Sequence, residues 1–305
     1  DGIYVSKNDG NLWTKLSFDS SSNVTSIYVS RFDDNIIYVG TYGSGLFVTT
    51  DAGSTWSSLN KSKDNNGQNV ALESMHITAI SQTLDSTLLV GTYGDGVYRS
   101  TDKGENWRRA NSGTNGTKFI NQIMVISKDI ILMATNDKGL MESNNDALQW
   151  TKYQPEADSL KNDAITCVEY TNDGAVVGTR ENGIWYYNAL PYTEWLPSNL
   201  RNFGVVDMTQ LNNGTLLAYN FDRGVIRSTN KGKNWDKISL DPFGVESFLV
   251  FTGTEYIINV NDKMYKSSNL GMDWTELTNY PGGMVNRLKY ENGNLIGIRN
   301  NDAII

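Results

Sequence analysis

Ser100-Thr-Asp-Lys-Gly-Glu-Asn-Trp107 is the stretch that decides the fold, because close copies of it run from one end of the chain to the other. Thr49 to Trp56 reads Thr-Thr-Asp-Ala-Gly-Ser-Thr-Trp, Ser228 to Trp235 reads Ser-Thr-Asn-Lys-Gly-Lys-Asn-Trp, and Ser267 to Trp274 reads Ser-Ser-Asn-Leu-Gly-Met-Asp-Trp. Ser6 to Trp13 keeps the frame with Asn8 and Gly10. Ser143 to Trp150 keeps Ser, Asn145 and Trp but has Ala147 where the Gly belongs, and Asn188 to Trp195 retains little beyond the Trp. The marker Trp residues are spaced 43, 51, 43, 45, 40 and 39 residues apart, and the gap across the two termini adds up to 44. A period of this size is that of a propeller blade.

Inside each repeat four strand-length runs recur, rich in β-branched and aromatic residues and separated by Gly, Asn or Asp turns. In the second repeat they are His76-Ile-Thr-Ala-Ile-Ser, Thr87-Leu-Leu-Val-Gly-Thr, Gly96-Val-Tyr-Arg-Ser and Trp107-Arg-Arg. The second run of each repeat is the most apolar, as a strand covered on both faces must be. The reading is all-β: a seven-bladed β-propeller of four-stranded antiparallel blades, residues 1–305 forming one domain. One blade closes the ring from both termini, with its first two strands between Met284 and Arg299. Either Gly2-Ile-Tyr-Val-Ser6 or Asp302-Ala-Ile-Ile305 could supply its third.

In the frame Ser-x-Asp-x-Gly-x-x-Trp each fixed residue has a mechanical reason. Ser and Asp or Asn bond the backbone of the turn, Gly takes a positive φ, and Trp wedges against the neighbouring sheet. The structural residues are Asp51, Asp102, Asn230 and Asn269 with Trp56, Trp107, Trp235 and Trp274. Since Asn stands for Asp in most copies, a carboxylate is not required, and neither metal binding nor acid/base chemistry belongs to this position.

The net charge of -8 leaves no basic field for nucleic acid or an anionic membrane surface. One cysteine and one histidine, Cys167 and His76, build neither a disulfide framework nor a multi-histidine metal site, so no metal or cofactor is expected. No apolar run is long enough to span a membrane, and the N-terminal residues look like the inside of a repeat, so a signal segment is not expected in this chain.

The hairpins resemble the Asp-box, or bacterial neuraminidase repeat, of sialidases, sortilin-type receptors, xyloglucan hydrolases and photosystem assembly factors. The resemblance covers the whole chain and implies a secreted or cell-surface bacterial protein. It also implies that the hairpins lie away from the ligand face. Ligands are then expected at the end formed by loops leaving each second strand and leading into each first strand. The candidates leaving second strands are Tyr42, Tyr93, Asn136, Arg180, Phe221 and Arg299; those leading into first strands include Thr25, Thr78, Asn121, Thr166, Asp207 and Glu246. Tyrosines, arginines and amides suit a non-catalytic, monomeric binding or scaffolding propeller that recognises a glycan or a protein. The alternative is a glycoside hydrolase, either sialidase-like or using Asp207 and Glu246 as acid and base. Against a sialidase, the Arg-Ile-Pro opening motif is missing and a seventh blade is present. A long insertion, Lys61 to Ser74, is a further candidate partner contact.

Overall fold

The computed structural model describes residues 2–18, 23–63, 69–72, 75–153, 160, 164–188, 194–211, 213–220, 224–238, 249–251, 255–260, 262–269, 273–280, 282, 285, 287–291 and 294–299. Among these there is no α-helix, and the strands form seven four-stranded antiparallel sheets, the blades of a β-propeller, plus one two-stranded sheet. The chain divides into two compact units, Phe18–Val168 and Asp1–Ser17 with Glu169–Ile305.

In the first unit, blade 1 is made of Val24–Val29, Ile37–Thr41, Leu46–Thr49 and Ser57–Ser58. Blade 2 is made of Ile77–Gln82, Leu88–Thr92, Val97–Ser100 and Arg108–Arg109, and blade 3 of Ile120–Ser127, Ile130–Thr135, Leu140–Ser143 and Thr151–Lys152. The core lies in layers between sheets. Tyr28, Tyr38 and Leu46 of blade 1 pack with Ile77, Leu88, Val90, Tyr98 and Trp107 of blade 2; Leu89 and Val97 of blade 2 pack with Ile120, Ile131, Met133 and Trp150 of blade 3. A second strand touched on both faces has no side chain to spare for solvent, and every residue of Ile37–Thr41 and of Leu88–Thr92 is buried.

The second unit holds the remaining blades. The strand Ile165–Thr171, whose residues up to Val168 belong to the first unit, begins blade 4, which continues with Gly174–Thr179, Ile184–Asn188 and Glu194–Pro197. Blade 5 is Asp207–Gln210, Leu216–Asn220, Gly224–Ser228 and Asp236–Lys237; blade 6 is Leu249–Phe251, Tyr256–Val260, Lys263–Ser267 and Thr275–Glu276. Blade 7 decides between the two terminal segments. Gly2–Ser6 pairs antiparallel with Asn294–Arg299, Gly2 opposite Arg299 and Ser6 opposite Leu295, between Arg287–Glu291 on the inside and Thr14–Lys15 outside. The N-terminus is the third strand; Asp302 to Ile305 lie outside the described residues.

The repeated hairpin works as its residues dictate. In Ser100–Trp107 the Ser100 hydroxyl donates to Asp102 Oδ1 (2.7 Å) and accepts from Gly104 N (2.8 Å), while Asp102 Oδ1 also accepts from Asn106 N (2.8 Å). The same three bonds recur with Asn at Ser6–Leu12 and Ser228–Asn234. With Asn145 and Ala147 they recur once more, Ala147 holding φ +58° in the glycine's place. The residue before it is left-handed too, as at Asp9, Ala52, Lys103, Asp146 and Lys231.

Trp107 Nε1 donates to the Leu59 carbonyl of blade 1 (3.1 Å), and Trp150 Nε1 to the Ala110 carbonyl of blade 2 (2.9 Å). Leu59 and Ala110 hold one place, three residues beyond the Trp of their blades, and that place faces the next blade's hairpin. A Cβ on Gly104 would sit 2.7 Å from Leu59 Cδ1, and one on Gly10 would sit 2.8 Å from Leu277 Cδ1 of blade 6. Where the hairpin carries Ala147 instead of Gly, the residue facing it is Ala110 instead of Leu, and both are buried in one cluster with Trp150.

The insertion preceding blade 2, read from its Asn and Ser content as a loop, contains a small hairpin: Lys61–Lys63 pairs with Asn69–Ala71. Leu72 behind it is fully buried in the layer between blades 1 and 2.

Candidate functional site

A second repeat, not marked by the Asp-box frame, positions the ligand candidates. Each second strand from blade 1 to blade 4 ends in a buried Thr with a Gly four residues on: Thr41 and Gly45, Thr92 and Gly96, Thr135 and Gly139, Thr179 and Gly183. The Thr hydroxyl donates to the Gly carbonyl (2.9, 2.8, 2.7 and 2.8 Å) and accepts the backbone N–H three residues on (3.1, 3.1, 3.0 and 2.9 Å). The glycine sits at positive φ in every case. A hydroxyl that closes its own turn at both donor and acceptor leaves that turn little freedom. The residue directly after the Thr is Tyr42, Tyr93, Asn136 or Arg180, the candidates of the sequence.

An asparagine four residues beyond the blade Trp braces two of these turns from outside. Asn60 Oδ1 accepts from Leu46 N (2.7 Å) and its amide donates to the Ser44 carbonyl (2.6 Å); Asn111 makes the corresponding bonds to Val97 N (2.8 Å) and the Asp95 carbonyl (3.1 Å).

From blade 1 to blade 3 the turns join into one ladder. Tyr42 N donates to the Asn23 carbonyl (2.8 Å), and the Tyr42 ring stacks on His76 with centroids 4.0 Å apart and planes 11° from parallel. Tyr93 N donates to the His76 carbonyl (2.9 Å), the Tyr93 ring lies 4.8 Å from Phe119, and Asn136 N donates to the Phe119 carbonyl (3.0 Å). Tyr42 and Tyr93 are each about half exposed, and Met75 is exposed beside His76. Two aromatic steps thus occupy equivalent places on adjacent blades, each ring backed by a second ring and fixed by its own backbone. His76 and Phe119 were not among the sequence candidates; the signal was an aromatic residue directly before a first strand.

The residues leading into the first strands behave differently from the expectation of a ligand ring. Thr25 Oγ1 donates to the Ile77 carbonyl, Thr78 Oγ1 to the Ile120 carbonyl, and Asn121 Nδ2 to the Ile165 carbonyl (2.7 Å). Their polar groups tie each first strand to the next.

In the second unit, Arg180 is exposed, and its carbonyl is packed so closely against Gly204 that a Cβ there would approach it to 2.4 Å. Asp207 Oδ1 accepts from Met208 N (2.8 Å). Beside it stands Glu169, whose carboxyl is pushed up to about 8 by burial and then by the Asp207 charge, against the pull of the Gln210 and Tyr170 backbone N–H groups. Phe221, Glu246 and the Arg299 side chain lie outside the described residues. Among the described residues no group of three or more His, Cys, Asp or Glu side chains could hold a metal ion. Cys167 is buried in the first strand of blade 4, and no helix among these residues is long and apolar enough to cross a membrane.

Residues 1–139 match the family model described as Sortilin-Vps10: Sortilin, neurotensin receptor 3. No curated protein matches the chain. Similar solved structures include "YCF48 bound to D1 peptide" (13% identity, TM-score 0.66, covering 96% of this chain and 96% of that one) and "YCF48 from Cyanidioschyzon merolae" (14%, 0.68, 94% and 98%). The GH74 xyloglucanase from Xanthomonas campestris is also similar (15%, 0.65), 90% of this chain matching 51% of that one. At these identities the likeness is one of fold. The hairpin repeat, the seven blades and the family model agree on a sialidase- and sortilin-like propeller.

Proposed function

We propose that this propeller is a non-catalytic binding protein that takes an extended segment of a partner protein across the Tyr42 and Tyr93 steps. The observation that carries this is the pair of half-exposed tyrosines, each held in place by a backing ring and a Thr–Gly turn. Pre-fixed aromatic side chains offer large contact area at small entropic cost, which is what a binding surface needs. YCF48 bound to the D1 peptide, a propeller of the same fold, supports a protein partner.

Glycan binding is the second reading. Exposed aromatic faces also stack on sugar rings, and a xyloglucanase is among the similar folds. The hydrolase alternative rests on Asp207, whose Oδ1 accepts from Met208 N, and on Glu246, which lies outside the described residues.

The test is selection from a displayed random-peptide library, run beside a glycan array, with wild type and a Tyr42→Ala/Tyr93→Ala variant. Enriched peptides that bind the variant about tenfold more weakly or worse support the proposal. Peptides that bind both proteins equally would sink it, and glycan retention lost only in the variant would transfer the site to sugars.

A further inference from the structure

Antiparallel strands put the turns of each blade at two opposite ends. The Tyr42 and Tyr93 steps stand at one; the turns joining first to second strands, and the Asp-box hairpins, stand at the other. On that second end of blades 1 to 3 three large apolar side chains face solvent: Phe32 (53% exposed), Leu84 (49%) and Leu148 (57%). Phe32 and Leu84 lie on the turns joining first to second strands in successive blades, one position apart in register, and Ser30 and Gln82 at the base of these turns bond each other through their side chains at 2.9 Å. Leu148 belongs to the hairpin of blade 3, joined to blade 2 by Thr87 Oγ1 donating to Asp146 Oδ2 (2.8 Å). Lys128 of blade 3 pairs with Asp85 of blade 2 at 3.1 Å. The three apolar groups therefore sit at one end of three blades that are tied to each other there.

Its charge is negative. Each apolar turn runs directly into carboxylates, Phe32 into Asp33 and Asp34 and Leu84 into Asp85, all exposed, with Asp129 exposed on the blade 3 turn. The hairpins add Asp51, held at about 2 by hydrogen bonds from Thr49 and Thr55, and Asp102. Both keep their charge while serving the turn. The basic groups there are fewer: Arg31 beside Phe32 and Lys103 on the blade 2 hairpin are exposed, while Lys128 and Arg99 form ion pairs with Asp85 and Asp146.

We propose that this end of blades 1 to 3 is a second docking surface, for a cationic amphipathic segment of a partner protein whose apolar residues cover Phe32, Leu84 and Leu148 while its Lys or Arg residues meet the Asp33 and Asp34 turn. The acidic rim selects that occupant, because an anionic lipid surface or nucleic acid is repelled by it. The surface is independent of the tyrosine steps and rests on none of their properties.

The experiment follows a fluorescently labelled amphipathic Leu/Lys peptide by anisotropy on the full chain. Binding is expected to weaken with added salt and to fall about tenfold or more in Phe32→Ser/Leu84→Ser and in Asp33→Asn/Asp34→Asn, while Tyr42→Ala/Tyr93→Ala binds as wild type does. All the substituted side chains are exposed, and an unchanged thermal melt checks the fold. Equal binding by wild type and Phe32→Ser/Leu84→Ser, equal binding of a Leu/Glu peptide, or loss in the tyrosine variant would each overturn the proposal. So would light scattering that shows wild type dimerising and Phe32→Ser/Leu84→Ser monomeric, because the surface would then belong to a second copy of the chain.

Discussion

Ala110 and Ala147 should be energetically coupled, because the pair stands where Leu and Gly face each other elsewhere. Leu59 Cδ1 lies only 2.7 Å from the place a Cβ on Gly104 would take, and Leu277 Cδ1 only 2.8 Å from that of Gly10, against about 3.5–4.0 Å for carbons in normal contact. A leucine at 110 therefore collides with the Ala147 methyl, and Ala110→Leu alone should cost about 1–3 kcal/mol as overpacking. Ala147→Gly alone trades three terms. Relief of the left-handed alanine at φ +58° is worth about 1–2 kcal/mol, while the lost buried methyl costs about 0.8 kcal/mol and the added freedom of the unfolded chain roughly 0.4–1 kcal/mol; the sum is near zero. The double variant recreates the Leu–Gly pair and buries about three more carbons than Ala147→Gly alone, worth roughly 2 kcal/mol. Urea unfolding of the four proteins of the cycle, followed by tryptophan fluorescence, should give a coupling of at least about 2 kcal/mol in favour of the double variant. Additivity within about 0.5 kcal/mol would refute the reasoning.

Three other outcomes follow from single groups. Asp102→Asn should leave the melting temperature nearly unchanged, since Asn8, Asn145 and Asn230 make the same turn bonds, whereas Asp102→Ala should cost about 1–2 kcal/mol; a large loss in Asp102→Asn would mean the charge itself is needed. Thr92→Val leaves the buried Gly96 carbonyl and Asp95 N–H without the hydroxyl and should cost about 2–3 kcal/mol in urea unfolding, with binding at Tyr93 weakened as its turn loosens; unchanged stability would dismiss the staple. Glu169 titrates at about 8 in the folded chain against an ordinary 4.5, so the folded state holds the proton more tightly. Stability is then full below about pH 4.5 and declines up to about pH 8, at no more than about 1.4 kcal/mol per pH unit. Urea midpoints measured across that window should flatten in Glu169→Gln, and an unchanged slope would remove Glu169 as the cause.

The sequence made the ring legible because the Asp-box hairpin is covalently local: Ser, Asp or Asn, and Gly meet within one turn, and their bonds need nothing from elsewhere. It also exposed the fully covered second strands, since burial on both faces leaves an uninterrupted apolar run. The Thr–Gly turns were equally local but lay in a shorter, less conspicuous pattern, so Tyr42, Tyr93, Asn136 and Arg180 were found without the device that holds them. What the sequence could not separate was the use of Thr25, Thr78 and Asn121. A small polar residue at the start of a strand reads the same whether it meets a ligand or the carbonyl of the next blade, and only the distance across blades distinguishes them. The backing of Tyr42 by His76 was hidden for the same reason, as the two rings come from different repeats.

The pairing of Gly2–Ser6 with Asn294–Arg299 has a consequence for assembly in the cell. On a ribosome the first of these segments emerges long before the second, and throughout that interval its neighbour in the sheet does not exist. Blades whose four strands are consecutive can condense as they appear, but the clasp must wait for the six blades between its two segments, which makes ring closure the late, high-contact-order step. During the wait the bare edge is chemically indifferent to which molecule supplies its complement. Two nascent chains held close together, as on one polysome, could each lend the other the missing hairpin, and the product would be an exchanged dimer with every sheet bond satisfied.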